Sequence, residues 1–330
     1  MKKLLNDPYA YASETLEGLC RAHPQYYRFS DGSRQVVVRP DSSVSGKVGI
    51  VTGGGSGHLP VFVGYVGRGL LNACAVGDVF ASPSADDMAI AMRAADGGAG
   101  VLRLYGNYGG DVMNFDMAGE LVELDGISST TVLVADDIAS AAKEEREKRR
   151  GVAGMVYCFK MAGAAAEEGS DLAEVTRIAQ KAADACHSMG IALGPCIVPQ
   201  AGRPTFTIGE DEMEIGMGIH GEPGVSVGKL ESANSVADTL VDAIAADGDF
   251  TGEVSVLVNS LGATPLEELY ILYARIADRL EGLGLKVVMP LVGRYATSME
   301  MSGASVTIVQ LDDELKRLLA APAECAFWRV

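Results

Sequence analysis

Two of the four histidines in this chain lie in stretches dominated by glycine. His58 ends the sequence GGGSGH, His220 lies within GMGIHGEPG, and Asp111 ends a third glycine-rich stretch, NYGGD. An imidazole titrates near neutral pH, and an aspartate beside it can orient the ring or accept a proton itself. His58 and Asp111 therefore indicate acid–base chemistry on hydroxyl groups, and the glycines around His220 suggest a backbone arranged to present its imidazole to a ligand.

Each of these residues also has a simpler interpretation. His220 is compatible with a plain turn residue, and Asp111 with the N-cap of a helix that begins just after it, a role that does not exclude catalysis. A zinc site formed by His58, Asp111 and His220 is a further alternative, although no metal-binding motif accompanies them. His187 lies beside the apolar face of a predicted helix, which favours a structural role.

The segments that carry these residues alternate between predicted strands and helices. The runs KVGIVT (47–52), NACAVGDVF (72–80) and GVLRLYG (100–106) predict strands, and helical patterns follow them, including one over LPVFVGYVGRGLL (59–71). Such alternation is typical of a largely parallel sheet covered by helices. Because open α/β sheets bind ligands at the carboxyl ends of their strands, we expect His58, Ser82, Asn107 and Asp111 to share one crevice.

Near Gly190 the sequence pattern changes from long helical segments to shorter apolar strands with turns, which predicts a second domain. Two predicted helices precede it, one roughly over 151–168 and one from an N-cap at Ser170 to Gly190. Before them, the charge run KEEREKRR (143–150) is typical of a solvated loop or helix end. Shorter strands follow, with a long helix that we expect to begin in a capping box at Thr264. We predict a largely parallel N-terminal α/β domain over 1–187 and a smaller mixed-sheet α/β domain over 188–330 that carries His220.

Several functional classes are disfavoured by composition and by missing motifs. The net charge of −17 makes nucleic acid and membrane surfaces poor partners. No signal-peptide core and no apolar run of membrane-spanning length occurs, and six scattered cysteines without metal spacing predict free thiols in the cytoplasm. No Walker A loop is present, which removes the commonest nucleotide site. The absence of a well-formed dinucleotide fingerprint argues against a dehydrogenase.

Motifs along essentially the whole chain resemble the substrate-binding subunit of the dihydroxyacetone kinase family. They occur in order and are VTGGGSGHLP, GDVFASPS, NYGGDVMNFDMA, GVAGMV, GIALGPCIVPQAGRPTF, MEIGMGIHGEPG, VNSLGATPLEELY and YATSMEMSGASVT. The resemblance implies a kinase of short ketoses in which His220 captures the substrate ketone as a covalent hemiaminal. It also implies that Asp111 and His58 are the acid–base residues and that Gly55 and Ser82 hydrogen-bond the substrate.

Two positions depart from the family's pattern. Gly106 stands where dihydroxyacetone-binding members usually carry a lysine at the edge of the substrate site, and Leu59 stands where glutamate is common. The loss of a strong donor and of its bulk at Gly106 predicts an altered substrate, such as the larger ketose erythrulose.

The resemblance also implies the partners. With no cofactor or metal site of its own, this chain would receive the phosphoryl group from a separate helical subunit that holds ADP or ATP with Mg²⁺, recharged by a phosphotransferase relay or by exchange. A homodimer is expected from the family. The alternative is a regulatory protein that captures the ketose and signals its presence to a transcription factor, but retention of both His58 and Asp111 favours the enzyme.

Overall fold

The structure, a computed structural model, describes residues 2–330 and contains two β-sheets with helices packed against them. The helices are α1 (Tyr11–Ala22), α2 (Ala85–Ala95), α3 (Gly109–Glu123), α4 (Met155–Glu167), α5 (Leu172–Ala185), α6 (Ala233–Asp247), α7 (Leu266–Gly282) and α8 (Asp313–Ala320). The strands are β1 (Arg28–Ser30), β2 (Ser33–Val38), β3 (Gly49–Ser56), β4 (Ala73–Val79), β5 (Val101–Gly106), β6 (Ser129–Val134), β7 (Cys186–Gly194), β8 (Glu212–Ile215), β9 (Ser226–Lys229), β10 (Glu253–Ser260), β11 (Lys286–Val287), β12 (Leu291–Gly293) and β13 (Ser302–Gln310).

The first sheet has the strand order β1-β2-β4-β3-β5-β6. Its strands β4, β3, β5 and β6 run parallel, while β1 and β2 add an antiparallel edge. Strand β3 is buried along its whole length and continues through its three glycines. A Cβ on Gly54 would lie 2.0 Å from the Phe62 ring, so only glycine lets the chain after β3 fold back onto the strand.

The second sheet is mixed, with the order β11-β10-β13-β7-β8-β9 and β12 also paired with β10. Strand β10 runs parallel to β11 and β12, and the other pairs are antiparallel. Helices α6 and α7 supply Leu240, Leu269 and Ile276 to its core. The predicted fold class, a largely parallel sheet followed by a mixed one, is confirmed.

The C-terminal segment returns to the first sheet. Lys160, buried in α4, donates a hydrogen bond of 2.6 Å to the Leu318 carbonyl in the last turn of α8, and the Glu324 amide donates to the Arg68 carbonyl at 2.9 Å. Helix α8 packs on α4 because Leu315, Leu318 and Leu319 form one apolar face. The division at 187/188 stays a prediction, with β7 beginning at Cys186 and α8 lying against the first unit.

Three local predictions were wrong. The segment LPVFVGYVGRGLL contains only a single 3₁₀ turn (Val63–Tyr65), because the chain then turns back: the Leu71 amide donates to the Tyr65 carbonyl at 3.1 Å, and Gly69 has a φ of 68°. The helix expected to reach Gly190 ends at Ala185, and His187 lies in β7. Thr264 does not cap α7 but donates a hydrogen bond to the Gly303 carbonyl at 2.7 Å.

His187 nevertheless has the packed environment of a structural residue. Its Nδ1 lies 2.7 Å from a carboxylate oxygen of Asp247, which also accepts two hydrogen bonds from the buried Arg149. This cluster joins the end of α6 to the segment before α4. Within residues 2–330, no helix is both long and apolar enough to cross a membrane.

Candidate active site

His220 lies in the loop between β8 and β9, where glycines permit a compact backbone. Gly221, the next residue, has a φ of 80°, which favours glycine. A Cβ on Gly218 would lie 2.2 Å from a carboxylate oxygen of Glu222, so that glycine leaves room for the Glu222 side chain to fold back toward His220. The glycines of this loop thus place a carboxylate beside the imidazole.

Glu222 fixes the orientation and tautomer of His220. One carboxylate oxygen accepts the backbone N–H of His220 at 2.9 Å, and the other lies 2.9 Å from Nδ1 of the ring. Because an ionised carboxylate only accepts, Nδ1 carries the hydrogen and Nε2 keeps its lone pair. The hydrogen bonds that His220 donates from its ring and its backbone N–H outweigh burial and lower the pKa of Glu222 to about 2, so this carboxylate is ionised at neutral pH.

His58 follows β3 and is fully buried. Its Nδ1 donates a hydrogen bond of 2.7 Å to the carbonyl of Thr297, which leaves Nε2 as an acceptor. Nε2 finds no hydrogen-bond partner among residues 2–330. Burial lowers the pKa of His58 to about 3, helped by the nearby His220, so the ring is neutral at physiological pH.

The two imidazoles meet within an aromatic enclosure. Their ring centroids are 4.6 Å apart and the planes are perpendicular. Phe80 stacks on His58 at 4.9 Å, and the Tyr108 ring lies 4.7 Å from His220. Phe80 has a φ of 58°, unusual for a residue with a side chain, and this backbone turn follows directly after β4. These rings would separate a small ligand bound here from bulk water.

Asp111 lies in the first turn of α3 and is almost completely buried. Burial raises its pKa to about 6, against the lowering effects of a Ser82 hydrogen bond and of His220. Its Oδ1 has no hydrogen-bond partner within the described chain. The N-cap interpretation was wrong: α3 begins at Gly109 and the N-cap position belongs to Tyr108, because the two glycines before Asp111 extend the helix.

Gly55 and Ser82 meet at the ends of β3 and β4. A Cβ on Gly55 would lie 2.7 Å from the Ala81 amide nitrogen, so glycine allows the chain after β4 to pass directly over β3. A Cβ on Gly110 would lie 2.6 Å from the Ser82 hydroxyl, which places Ser82 beside the start of α3. The crevice expected at this sheet edge therefore contains Gly55, Ser82, His58 and Asp111. The Asn107 side chain instead donates to the carbonyls of Glu147 and Arg149.

Gly106 ends β5 and has crowded surroundings. A Cβ at this position would lie 3.1 Å from the Met155 sulfur and 3.2 Å from the Tyr108 ring. The Tyr108 hydroxyl donates to the Gly151 carbonyl at 3.0 Å, which fixes the ring between Gly106 and His220. The space beside Gly106 is therefore occupied by Tyr108 and Met155 rather than open. Leu59, the second departure, lines a cavity of about 640 Å³ that Gly55 and His58 also line.

Sequence reasoning missed Glu222, Tyr108, Phe80 and Thr297. Glu222 had the clearest signal, a carboxylate two residues after His220 in a glycine-rich loop. The charge run was also only partly solvated: Arg150 lies 2.7 Å from the buried Asp137 and 3.7 Å from Glu222. In residues 2–330, no three His, Cys, Asp or Glu side chains are arranged to hold a metal ion, which disfavours the zinc alternative.

The fold and site define a two-sheet α/β protein in which a carboxylate-held histidine of one sheet faces a buried histidine and an aspartate of the other. The chain matches the Dak1 domain over residues 17–327 and belongs to that family. It is 45% identical over its full length, and over all of the relative, to the dihydroxyacetone-binding subunit of PTS-dependent dihydroxyacetone kinase 2 from Listeria innocua. It is 44% identical to the L-erythrulose 1-kinase of Mycolicibacterium smegmatis, matching all of this chain and 58% of that protein.

Solved structures share this fold. The dihydroxyacetone kinase of C. freundii in complex with AMP-PNP and Mg²⁺ gives a TM-score of 0.91 at 34% identity, covering 99% of this chain and 61% of that one. The dihydroxyacetone kinase operon co-activator Dha-DhaQ gives a TM-score of 0.89 at 32% identity, covering 96% of this chain and 98% of that one.

Proposed function

We propose that this chain is the ketose-binding subunit of a kinase that phosphorylates dihydroxyacetone or a slightly larger ketose such as erythrulose. The observation that carries the proposal is the pairing of Glu222 with Nδ1 of His220, which leaves Nε2 with a free lone pair beside the buried His58. The relatives named as dihydroxyacetone and erythrulose kinases are about equally similar in sequence, so they support the reaction class rather than one substrate.

Capture begins when Nε2 of His220 attacks the carbonyl carbon of the ketose. A C–N bond forms, and the carbonyl π pair moves to oxygen. The Nδ1 proton leaves through Glu222 to a water molecule, which leaves Glu222 ionised again, and the alkoxide takes one proton from water, so the product is a neutral hemiaminal. The unpaired Nε2 of His58 can accept a hydrogen bond from the new hydroxyl, which gives this buried atom the partner it lacks.

Asp111 acts on the terminal hydroxyl. Its unpaired Oδ1 and its raised pKa suit a general base that removes the proton as the oxygen attacks the phosphoryl group. His58, whose pKa lies near 3, is too weak a base for this step and stabilises the adduct instead. Covalent capture fixes the hydroxyl in place, which converts an encounter into a positioned reaction.

The phosphoryl donor comes from a separate, helical nucleotide-binding subunit. The C. freundii kinase was crystallised with AMP-PNP and Mg²⁺, and this chain matches only part of that protein. ADP or ATP with Mg²⁺ would be held there, with recharging by a phosphotransferase relay, as the name of the Listeria relative suggests. The proposal includes a cytoplasmic location and a homodimer. All six cysteines are free, which is consistent with a reducing compartment.

A panel experiment tests this function. The chain is mixed with a nucleotide-binding subunit of dihydroxyacetone kinase, ATP and Mg²⁺, and with dihydroxyacetone, both erythruloses and the pentuloses in turn. We expect phosphorylation of at least one ketose with three or four carbons, measured as ADP release and product mass. Turnover of none of them would contradict the kinase.

A regulatory role is the second candidate, favoured by the similarity to the co-activator Dha-DhaQ over nearly the whole of both chains. In that case a carbonyl-labelled ketose would still form an adduct on His220, but no phosphoryl transfer would follow. The retained Asp111, whose Oδ1 is unpaired, favours the kinase, because capture alone needs no base for the terminal hydroxyl.

A further inference from the structure

Helix α3 carries an exposed apolar stripe that begins two residues after Asp111 of the candidate active site. Its members are Met113, Met117, Leu121 and Leu124, the last at the C-cap, and they stand four, four and three residues apart. Residues at this spacing lie on one face of a helix. Met113, Met117 and Leu124 are each more than half exposed. We call these four residues the α3 stripe.

The opposite face of α3 is already used. Phe115, Ala118 and Val122 are buried against the first sheet and α2. The helix is therefore apolar on two sides, a pattern typical of a helix buried all round rather than of one that faces water. Methionine in particular recurs at adaptable protein interfaces, because its unbranched side chain can repack. The stripe thus has the chemistry of an interface that is open in this chain.

The position of the stripe indicates what covers it. The same helix presents Asp111 to the site, and its exposed Gly110 lies against Ser82. A phosphoryl donor must reach the hydroxyl beside Asp111, so the protein that delivers it must cover the start of α3. A second copy of this chain would bring no donor. In the C. freundii kinase, about two fifths of the chain lies outside the part that this chain matches, so such a neighbour belongs to the family's complete kinase.

The charges that flank the stripe define the partner further. Asp116, Glu120 and Glu123 are exposed along one side of it, and Arg103, 3.5 Å from Asp116, is the one cation that forms an ion pair with them among the described residues. A partner surface that fits must present an apolar helical ridge bordered by lysine or arginine. Such charge complementarity speeds association, and its attraction weakens as the salt concentration rises.

We infer that the α3 stripe is the docking surface for the nucleotide-binding subunit. This inference rests on the proposed function, and it adds which face of the chain the donor subunit contacts and with what chemistry. The stripe would be the apolar centre of the interface, and the acidic side of α3 its polar rim.

The test uses Met117→Asp and a Glu120→Lys/Glu123→Lys double variant of the full chain, with Ile271→Asp as the matched control. Ile271 is exposed to a similar degree on α7, in the other sheet's helical layer. Binding to a Mg-ADP-loaded nucleotide-binding subunit of a PTS-dependent dihydroxyacetone kinase is measured by calorimetry at low and at moderate salt. Adduct formation with a carbonyl-labelled ketose is measured on the chain alone.

We expect Met117→Asp to weaken binding by at least about tenfold, the effect of a central contact, with adduct formation unchanged. The double variant should bind more weakly and lose much of its salt dependence, and Ile271→Asp should bind like the wild type. Wild-type affinity in Met117→Asp would overturn the docking surface while leaving ketose capture intact. A change from dimer to monomer in Met117→Asp, with donor binding retained, would assign the stripe to a second copy and overturn it too. Failure of the wild-type chain to capture any ketose would count against the proposed function instead.

Discussion

The carboxylate of Glu222 accepts two hydrogen bonds from His220, with one oxygen 2.9 Å from the backbone nitrogen and the other 2.9 Å from Nδ1 of the ring. This contact makes the residue a positioning group, since it sets the tautomer that leaves Nε2 free. Gly218 leaves room for it, because a Cβ there would lie 2.2 Å from the carboxylate oxygen and the Glu222 side chain would have to shift.

Replacing Glu222 should therefore weaken capture without removing it. We expect Glu222→Ala to lower adduct affinity by about 10- to 100-fold, the range seen when a carboxylate that orients a metal-binding histidine is lost. Glu222→Gln, which retains an acceptor oxygen, should recover part of the loss. The effect should fall mainly on KM, measured with saturating donor subunit. Equal adduct affinity in all three proteins would show that Glu222 is merely structural.

Mutation should distinguish the roles of His220 and His58. His220→Ala should abolish the adduct, seen as persistence of the ketone signal of a carbonyl-labelled ketose, because the nucleophile is gone. His58→Ala should slow turnover while some binding remains. His23→Ala, at a position outside the site, serves as the control and should behave like the wild type. An unchanged rate in His220→Ala would reject covalent capture by this residue.

The pH dependence of turnover should report Asp111. Its pKa is raised to about 6, so the carboxyl is protonated and inactive as a base below that pH and ionised above it. We expect kcat to rise as pH increases through about 6, and Asp111→Asn to give a low rate without this limb. His58 should contribute no limb in this range, since its pKa lies near 3. An acid limb that survives in Asp111→Asn would assign it to another group.

Gly106 tests the origin of substrate preference. Gly106→Lys, combined with Met155→Ala to relieve the 3.1 Å contact, restores a cationic donor near Tyr108. We expect the ratio of kcat/KM for dihydroxyacetone to that for erythrulose to rise. Met155→Ala alone is the control for the added space. No change in the ratio would mean that position 106 does not select the substrate.

The Asp247 cluster should govern stability rather than activity. Asp247→Ala leaves the buried Arg149 without its partner, which typically costs about 3–5 kcal/mol, measured by urea unfolding. Arg149 and His187 hold the pKa of Asp247 below its usual range despite burial. A group with a lowered folded pKa stabilises above its unfolded value, so this contribution should be lost as pH falls through the folded pKa. Wild-type stability in Asp247→Ala would contradict the ion pair's importance.

The order of strands and helices, the two-sheet α/β class and the glycine-rich loops that carry His58, Asp111 and His220 follow from the sequence, because local periodicity and turn residues encode them. The predictions that failed are those where the packed chain overrides local preference, as in the segment that turns back between Tyr65 and Leu71. For Glu222 the sequence offered only its position two residues after His220, and its contact with the ring became clear when the structure showed that Gly218 leaves room for the side chain. Only the folded chain placed His58 against His220, 162 residues farther along, and left Nε2 of His58 and Oδ1 of Asp111 without a hydrogen-bond partner among residues 2–330. Contacts between distant segments depend on how two sheets pack, and no local pattern of residues specifies that geometry.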